Sequence, residues 1–268
     1  MSRDWTGKTV VVTGAAGAIG ADFARSFAAR GARVAIGDLN EEAIDALADE
    51  IGCRALRVDT GFRVSVENFV AWAEDACGPI DLYISNAGIA SPQPEANACG
   101  AEDGVWNANW NVNLMGSVYA ARQLIPKWKK RGEGRFVVVA SAAGLLSQIE
   151  NASYSVTKHA AVGLAESIAI THRDDGIRVH CVCPQYVRSN MTKGFQDHPA
   201  ITAIGGGFKD PEDVTRALHD AIEEERFLVL SHPEVEEYLQ AKTADYDKWI
   251  GGMAKLRRGI VEAGGFPF

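Results

Sequence analysis

Tyr154 and Lys158 stand four residues apart in NASYSVTKHAAVGL (residues 151–164), a small, polar helix opening. One helical turn brings the phenol and the ammonium onto a single face. Together they can move a proton. A Tyr on its own, with a pKa near 10, is a poor base at neutral pH, and a neighbouring positive charge favours its phenolate. The spacing alone is weak evidence, because it recurs at Tyr238 and Lys242. That second pair sits among the charged residues of EVEEYLQAKTADYDKW and reads as an ordinary solvated face.

The elements that must position such a pair can be read from hydrophobic patterning. Apolar, β-branched runs at Thr9–Thr13, Arg33–Gly37, Arg54–Val58, Asp81–Ser85, Arg135–Ala140, Ile177–Cys183 and Phe227–Leu230 predict seven strands. Helical patterns alternate with them at about 19–30, 41–51, 64–76, 103–131, 153–174 and 211–225, with a C-terminal helix at about 234–258. Strands such as TVVVTG and GRFVVVAS are apolar throughout, which suits a parallel sheet covered on both faces. The expectation is an α/β fold: a single doubly wound, Rossmann-type domain over 1–268, with a seven-stranded parallel sheet and helices on both faces. Residues 184–210 read as one long loop, of the kind that in a compact domain is usually functional. It is the expected substrate loop.

The first strand runs into a turn with Gly14, Gly17 and Gly20, and then into a helix. Strand, Gly-rich turn and helix present backbone N–H groups and a helix N-terminus to a pyrophosphate. The spacing is G-x-x-G-x-x-G rather than G-x-G-x-x-G, so an ordinary βα turn remains an alternative. Asp38 closes the second strand 18 residues beyond Gly20, where a carboxylate can accept hydrogen bonds from ribose hydroxyls and repel a 2′-phosphate. Neither the turn nor the residues after Asp38 (Leu39, Asn40, Glu41, Glu42) carry a positive charge, so NAD is expected over NADP.

The 268 residues are 47% hydrophobic with a formal charge of −8, which supplies a core and argues against a nucleic-acid partner. No apolar run is long enough to span a membrane, and the first residues lack the apolar stretch of a signal peptide. A cytoplasmic location is therefore expected. The five cysteines (53, 77, 99, 181 and 183) lack zinc-site spacing; Cys181 and Cys183 alternate on a strand as buried packing residues, and no metal is expected.

Several positions together resemble the short-chain dehydrogenase/reductase family, over roughly residues 7–191. TGAAGAIG is similar to the family's T-G-x-x-x-G-x-G, with Ala18 where the middle glycine is usual. Asp59 is similar to its acidic contact to adenine, and SNAG (Ser85–Gly88) to its N-N-A-G. Asn113 in WNANWNVNLMG, Ser141 in S-x-A-G at a strand end, Tyr154 13 residues later and Lys158 match its catalytic set. CVCPQYVRSNM resembles its P-G-x-V-x-T segment at the nicotinamide amide, with Gln185 for Gly and Ser189 for Thr.

The resemblance implies a cofactor cleft formed by Gly14, Gly17, Ala18, Ile19, Gly20, Asp38, Leu39, Asp59, Thr60, Asn86, Ala87, Gly88, Tyr154, Lys158, Pro184, Val187 and Ser189. It also implies that Tyr154 acts as general base or acid, that Lys158 and the positively charged nicotinamide ring together lower its pKa, that Lys158 holds the nicotinamide ribose, and that Ser141 orients the substrate oxygen. Asn113 would hold a water that links Lys158 to solvent. The segments expected around the substrate are rich in apolar residues, including Leu145, Leu146, Ile149, Tyr186, Met191, Phe195 and Phe208, and offer no Arg/Lys cluster to clamp a phosphate. Of these, Leu145, Tyr186 and Met191, with Ser141, are the expected substrate contacts. The expected reaction is NAD-dependent interconversion of a hydrophobic secondary alcohol (aromatic, alicyclic or steroid-like) and its ketone, in a homodimer or homotetramer. An NADP-dependent carbonyl reductase and a non-catalytic dinucleotide sensor stay open as alternatives. The C-terminal helix is expected either to cover the pocket or to form a subunit interface.

Overall fold

A computed structural model describes residues 4–91, 97–194 and 207–262. Seven parallel strands form one sheet: β1 (Thr9–Thr13), β2 (Arg33–Asp38), β3 (Arg54–Arg57), β4 (Ile80–Ser85), β5 (Gly134–Val139), β6 (Ile177–Val182) and β7 (Leu228–Val229). Their order is β3-β2-β1-β4-β5-β6-β7. The chain winds outward in both directions from β1 and β4, so the helices that follow these two central strands leave on opposite faces.

Helices α1 (Ala18–Ala29), α2 (Glu41–Ile51) and α8 (Pro211–Glu223) cover one face, and α3 (Arg63–Cys77), α5 (Gly116–Arg131) and α7 (Ala152–His172) cover the other. The period-2 alternation of β1 shows how the sequence achieves this. Val10 and Val12 pack with Phe23, Phe27, Ile44 and Leu218, whereas Val11, between them, packs with Phe69, Leu124 and Trp128 on the other side. All of these are fully or almost fully buried, at about 1.5–3 kcal/mol for each large aliphatic or Phe side chain.

The predicted helix at 103–131 is three pieces: α4 (Asp103–Trp110), a π-helical turn (Asn111–Met115) and α5. The widened turn shifts Asn113 off the straight helical register. The predicted C-terminal helix divides at Asp245 into α9 (Glu234–Ala244) and α10 (Tyr246–Glu262). Asp245 is extended (φ −156°), and its carboxylate accepts the Lys248 N–H at 2.9 Å, so it caps a new helix instead of continuing the old one. A short helix, α6 (Ala143–Leu146), follows β5 unanticipated. Of the loop at 184–210, the described part holds a 3-10 turn (Asn190–Thr192) and a bridge between Val187 and Lys209. The remainder, with Phe195, lies outside the described residues.

Candidate active site

The site forms where β1 and β4 part. Gly14 adopts φ +68°, and a Cβ there would sit 2.7 Å from the Ala87 Cα. A Cβ on Gly20 would fall 2.3 Å from the Gly14 carbonyl oxygen. Only glycines let the first turn close this tightly against the start of the β4 turn. Asn86 fastens the two together: its Nδ2 donates to the Thr13 and Gly14 carbonyls at 3.0 Å each. The Thr13 hydroxyl accepts the Asn86 and Ala87 N–H groups. α1 starts at Ala18 with Gly17 as its cap, and no side chain covers its first N–H groups. The turn therefore offers an anion cradle at a helix N-terminus.

Asp38 stands beside this cradle. One carboxylate oxygen accepts the Ala16 N–H at 3.1 Å and the other the Asn40 N–H at 3.1 Å, which fixes its orientation. Asn40, not Asp38, caps α2 through the Ala43 N–H. Asp59 accepts the Gly61 N–H and shapes the turn that carries buried Thr60.

Three elements converge at the other end. The Ser141 hydroxyl, just past β5, accepts the Ala143 N–H at 3.0 Å, and Asn151 caps α7 by accepting the Tyr154 N–H at 3.1 Å. The cap sets the helical register that places Tyr154 on the cleft face with Lys158 one turn below. Lys158 is buried, its ammonium donates to the Val139 carbonyl at 3.0 Å, and it stands 5.6 Å from the centre of the Tyr154 ring.

All of the residues expected to hold a cofactor line one cavity of about 370 Å³: Gly14, Gly17, Ala18, Ile19, Gly20, Asp38, Leu39, Asp59, Thr60, Asn86, Ala87, Gly88, Tyr154, Lys158, Pro184, Val187 and Ser189. Ser141 and Met191 line it too. Lys158 is the only Lys or Arg among the lining residues described. The cavity runs from the glycine turn and Asp38 to Tyr154, so an extended dinucleotide could lie along it.

Other residues take places that their sequence positions do not announce. Asn113 does not line the cavity. It is buried behind it, where its Oδ1 accepts the Ile89 N–H at 2.8 Å and its Nδ2 donates to the Ile89 carbonyl and to the Thr157 hydroxyl. With its amide so engaged, Asn113 clamps the β4 turn against α7. Leu145 and Tyr186 also lie off the main cavity. Leu145 packs toward α9, and Tyr186 lines a second cavity of about 210 Å³ with Leu146, Ile149, Trp249 and Leu256. Finally, Tyr238 and Lys242 are not a solvated face. Tyr238 lines the second cavity, and buried Lys242 donates to the Leu145 carbonyl at 2.5 Å. Helix α9 folds back over α6, so the face that the charge pattern reads as solvated is covered by the chain's own turn.

Burial dominates the electrostatics of the pair. Desolvation by the surrounding protein pushes the Tyr154 phenol up, opposed by a hydrogen bond with Ser141. The same desolvation pulls Lys158 down to about 8. Burial thus favours the neutral form of both groups. Gln185, Asn190 and Thr192 also border the main cavity. The sequence reading did not assign the last two. Their only signal was the polar run Ser-Asn-Met-Thr, where the Thr192 hydroxyl accepts the Ser189 N–H and donates to the Val187 carbonyl.

Cys181 and Cys183 are buried with their sulfurs 3.8 Å apart, and both pack in the core on the α7 side of the sheet. Among the described residues no three His, Cys, Asp or Glu side chains gather as metal ligands would. No described helix is long and apolar enough to cross a membrane.

Known proteins share this arrangement. The sequence model of the short chain dehydrogenase family matches residues 8–200. The chain is 32% identical to 3beta-hydroxysteroid dehydrogenase 2 of Eggerthella lenta, over 79% of this chain and 86% of that protein. It is 34% identical to cis-4-hydroxycyclohexanecarboxylate dehydrogenase of Sinomonas cyclohexanicum, over 81% and 90%. A short chain dehydrogenase/reductase from Burkholderia phymatum, solved with NAD, superposes with a TM-score of 0.79 over 99% of this chain and 98% of its own, at 24% identity.

Proposed function

The chain belongs to the short-chain dehydrogenase family, and from that premise we propose that it is an NAD-dependent oxidoreductase that interconverts a hydrophobic secondary alcohol and its ketone. The observation that carries this reading is the single cavity that joins the glycine turn and Asp38 to Ser141, Tyr154 and Lys158. A bound nicotinamide dinucleotide would accept the hydride from the alcohol or return it to the ketone. The protein's own residues supply the rest. The α1 N-terminus and the glycine turn take the pyrophosphate, and Asp38, held by two backbone N–H groups, takes the adenosine ribose hydroxyls. Among the described residues, no Lys or Arg on the cavity wall near Asp38 offsets its repulsion of a 2′-phosphate.

Ser141 orients the substrate oxygen and Tyr154 takes or gives its proton. Lys158, with its remaining ammonium hydrogens beyond the Val139 bond, holds the nicotinamide ribose and stabilises the phenolate as it forms. Asn113 holds the Ile89 backbone that walls the site beside Lys158. An alicyclic or steroid-like alcohol is supported by the apolar second cavity and by the alcohols named for the two relatives. Exposed Trp110, Val156 and Ile170, on the adjoining helices α4 and α7, support a homo-oligomer.

The test is reduced-nicotinamide absorbance with NAD or NADP and a panel of hydrophobic secondary alcohols. NAD-linked turnover is the expected outcome. Higher efficiency with NADP would overturn the cofactor choice. Tight NAD binding with silence across the panel would make the protein a dinucleotide sensor.

A further inference from the structure

Gln185 stands where the main cavity meets the second one, and it lines both. Its side-chain carbonyl oxygen is buried and has no hydrogen-bond partner among the described residues. The neighbouring polar groups are engaged with each other: the Tyr186 phenol hydrogen-bonds Gln148. The backbone at this point is held firmly. Buried His232 accepts the Gln185 N–H on Nδ1 at 3.3 Å and donates from Nε2 to the Tyr186 carbonyl at 3.1 Å. The glutamine amide is therefore set on a fixed support, with its acceptor aimed at no protein donor described.

A molecule whose reacting carbon lies beside Ser141 and Tyr154, and whose apolar body enters the second cavity, must pass Gln185. A buried amide carbonyl asks for a hydrogen-bond donor. The second cavity brings no Lys, Arg, Asp or Glu to its described wall, so neither a carboxylate nor an ammonium would find a counter-charge there.

We infer that Gln185 is a specificity-determining residue, and that the substrate is a cyclic secondary alcohol, or its ketone, with a second, neutral hydroxyl that donates to the Gln185 carbonyl. This rests on the dehydrogenase reading above for the placement of the reacting carbon. Sites built to hydrogen-bond a hydroxyl discriminate strongly against analogues that lack it, because the protein acceptor is then left unpaired.

Binding, measured apart from turnover, tests the inference. Cyclohexanol and the cyclohexane-1,2-, 1,3- and 1,4-diols are titrated into the wild-type chain by ligand-observed NMR, with and without NADH. The expected result is at least one diol bound about tenfold more tightly than cyclohexanol, the worth of one good hydrogen bond. Gln185→Met, of similar volume, should erase that preference, so that the favoured diol binds no more tightly than cyclohexanol to the same variant; Gln185→Leu serves if the Met variant does not fold. Equal binding of cyclohexanol and every diol by the wild type overturns the inference, as does a preference that both substitutions leave intact. The outcome is distinct from that of the dehydrogenase reading. A Gln185-dependent preference without NADH formation from NAD and the preferred diol keeps this inference and sinks that one. Turnover of cyclohexanol and the diols at equal efficiency, with equal binding, does the reverse.

Discussion

The Lys158 ammonium hydrogen-bonds the Val139 carbonyl while it stands 5.6 Å from the centre of the Tyr154 ring, so the two groups of the motif share a pocket without touching through their polar ends. The phenol is the group that faces Ser141 and the cleft. Tyr154→Phe removes one oxygen and keeps the ring that packs there. The expected result is a fall in kcat of about 10²–10⁴, the range of a lost general acid or base, with dinucleotide binding close to wild type. Absorbance assays and a tryptophan-quench titration with NADH measure the two quantities. Turnover within a few-fold of wild type in the variant would remove Tyr154 from the proton transfer.

Burial at Lys158 has a consequence for stability. Its pKa in the folded chain is lowered to about 8 from an ordinary value of 10.5. Between those two values the unfolded chain binds more protons at this site than the folded one, so stability rises with pH across that window. The penalty for the buried charge is complete below the folded value and relieved above it. Tyr154 is shifted up, so its contribution has the opposite sign and is felt only above its ordinary value of 10.0. Urea midpoints of wild type and Lys158→Met should therefore diverge in favour of wild type between about pH 8 and 10, by up to roughly 3 kcal/mol. Parallel curves across that range would mean that Lys158 is not desolvated.

The fold and the tight glycine turn were legible in sequence for a common reason: local pattern and tertiary role coincide there. Seven apolar runs became seven strands, and the spacing of Gly14, Gly17 and Gly20 marked a turn that only small residues can close. What was not legible depends on folding-back. Tyr238 and Lys242 sit among glutamates and aspartates, and nothing in their neighbourhood announces that α9 will lie over α6, bury Lys242 and half-bury Tyr238. Asn113 stood out by its motif, whereas its side-chain bonds to Ile89 and Thr157 did not. The π-helical turn that swings it behind Ile89 leaves no periodic signature in NVNLM. Tyr186 carries the apolar character of a substrate contact, but the second cavity that it lines is walled by α10 and leaves no local signal around Tyr186.

The second pair makes a clean contrast with the first. Lys242 holds α9 to the Leu145 carbonyl in α6 and does not line the cleft that contains Tyr154. Lys242→Met should cost about 1–2 kcal/mol of stability, because it leaves a carbonyl without its donor in a largely buried place. The pH dependence of kcat should stay that of wild type. Thermal melts and a pH–rate profile give the two readouts. A shifted profile would show that Lys242 acts on the proton transfer after all.

Asp38 offers the sharpest test of cofactor choice. Its carboxylate is oriented by the Ala16 and Asn40 N–H groups and faces the cavity with no Lys or Arg beside it on the described wall. Two effects of the charge point the same way: it accepts strong hydrogen bonds from ribose hydroxyls, and it repels a 2′-phosphate. Asp38→Asn keeps a side-chain carbonyl for one of the two backbone donors and removes the charge. A charged hydrogen bond is worth about 1.5–3 kcal/mol, so kcat/KM for NAD should fall about 10–100-fold while that for NADP rises. Arg57 is the cross-strand partner of Asp38 on β3 and is not part of the cavity wall. The Asp38→Asn/Arg57→Ala double variant therefore separates its influence from that of Asp38. If Asp38→Asn leaves the NAD-to-NADP ratio unchanged, the carboxylate is a support of the turn and the discrimination lies elsewhere.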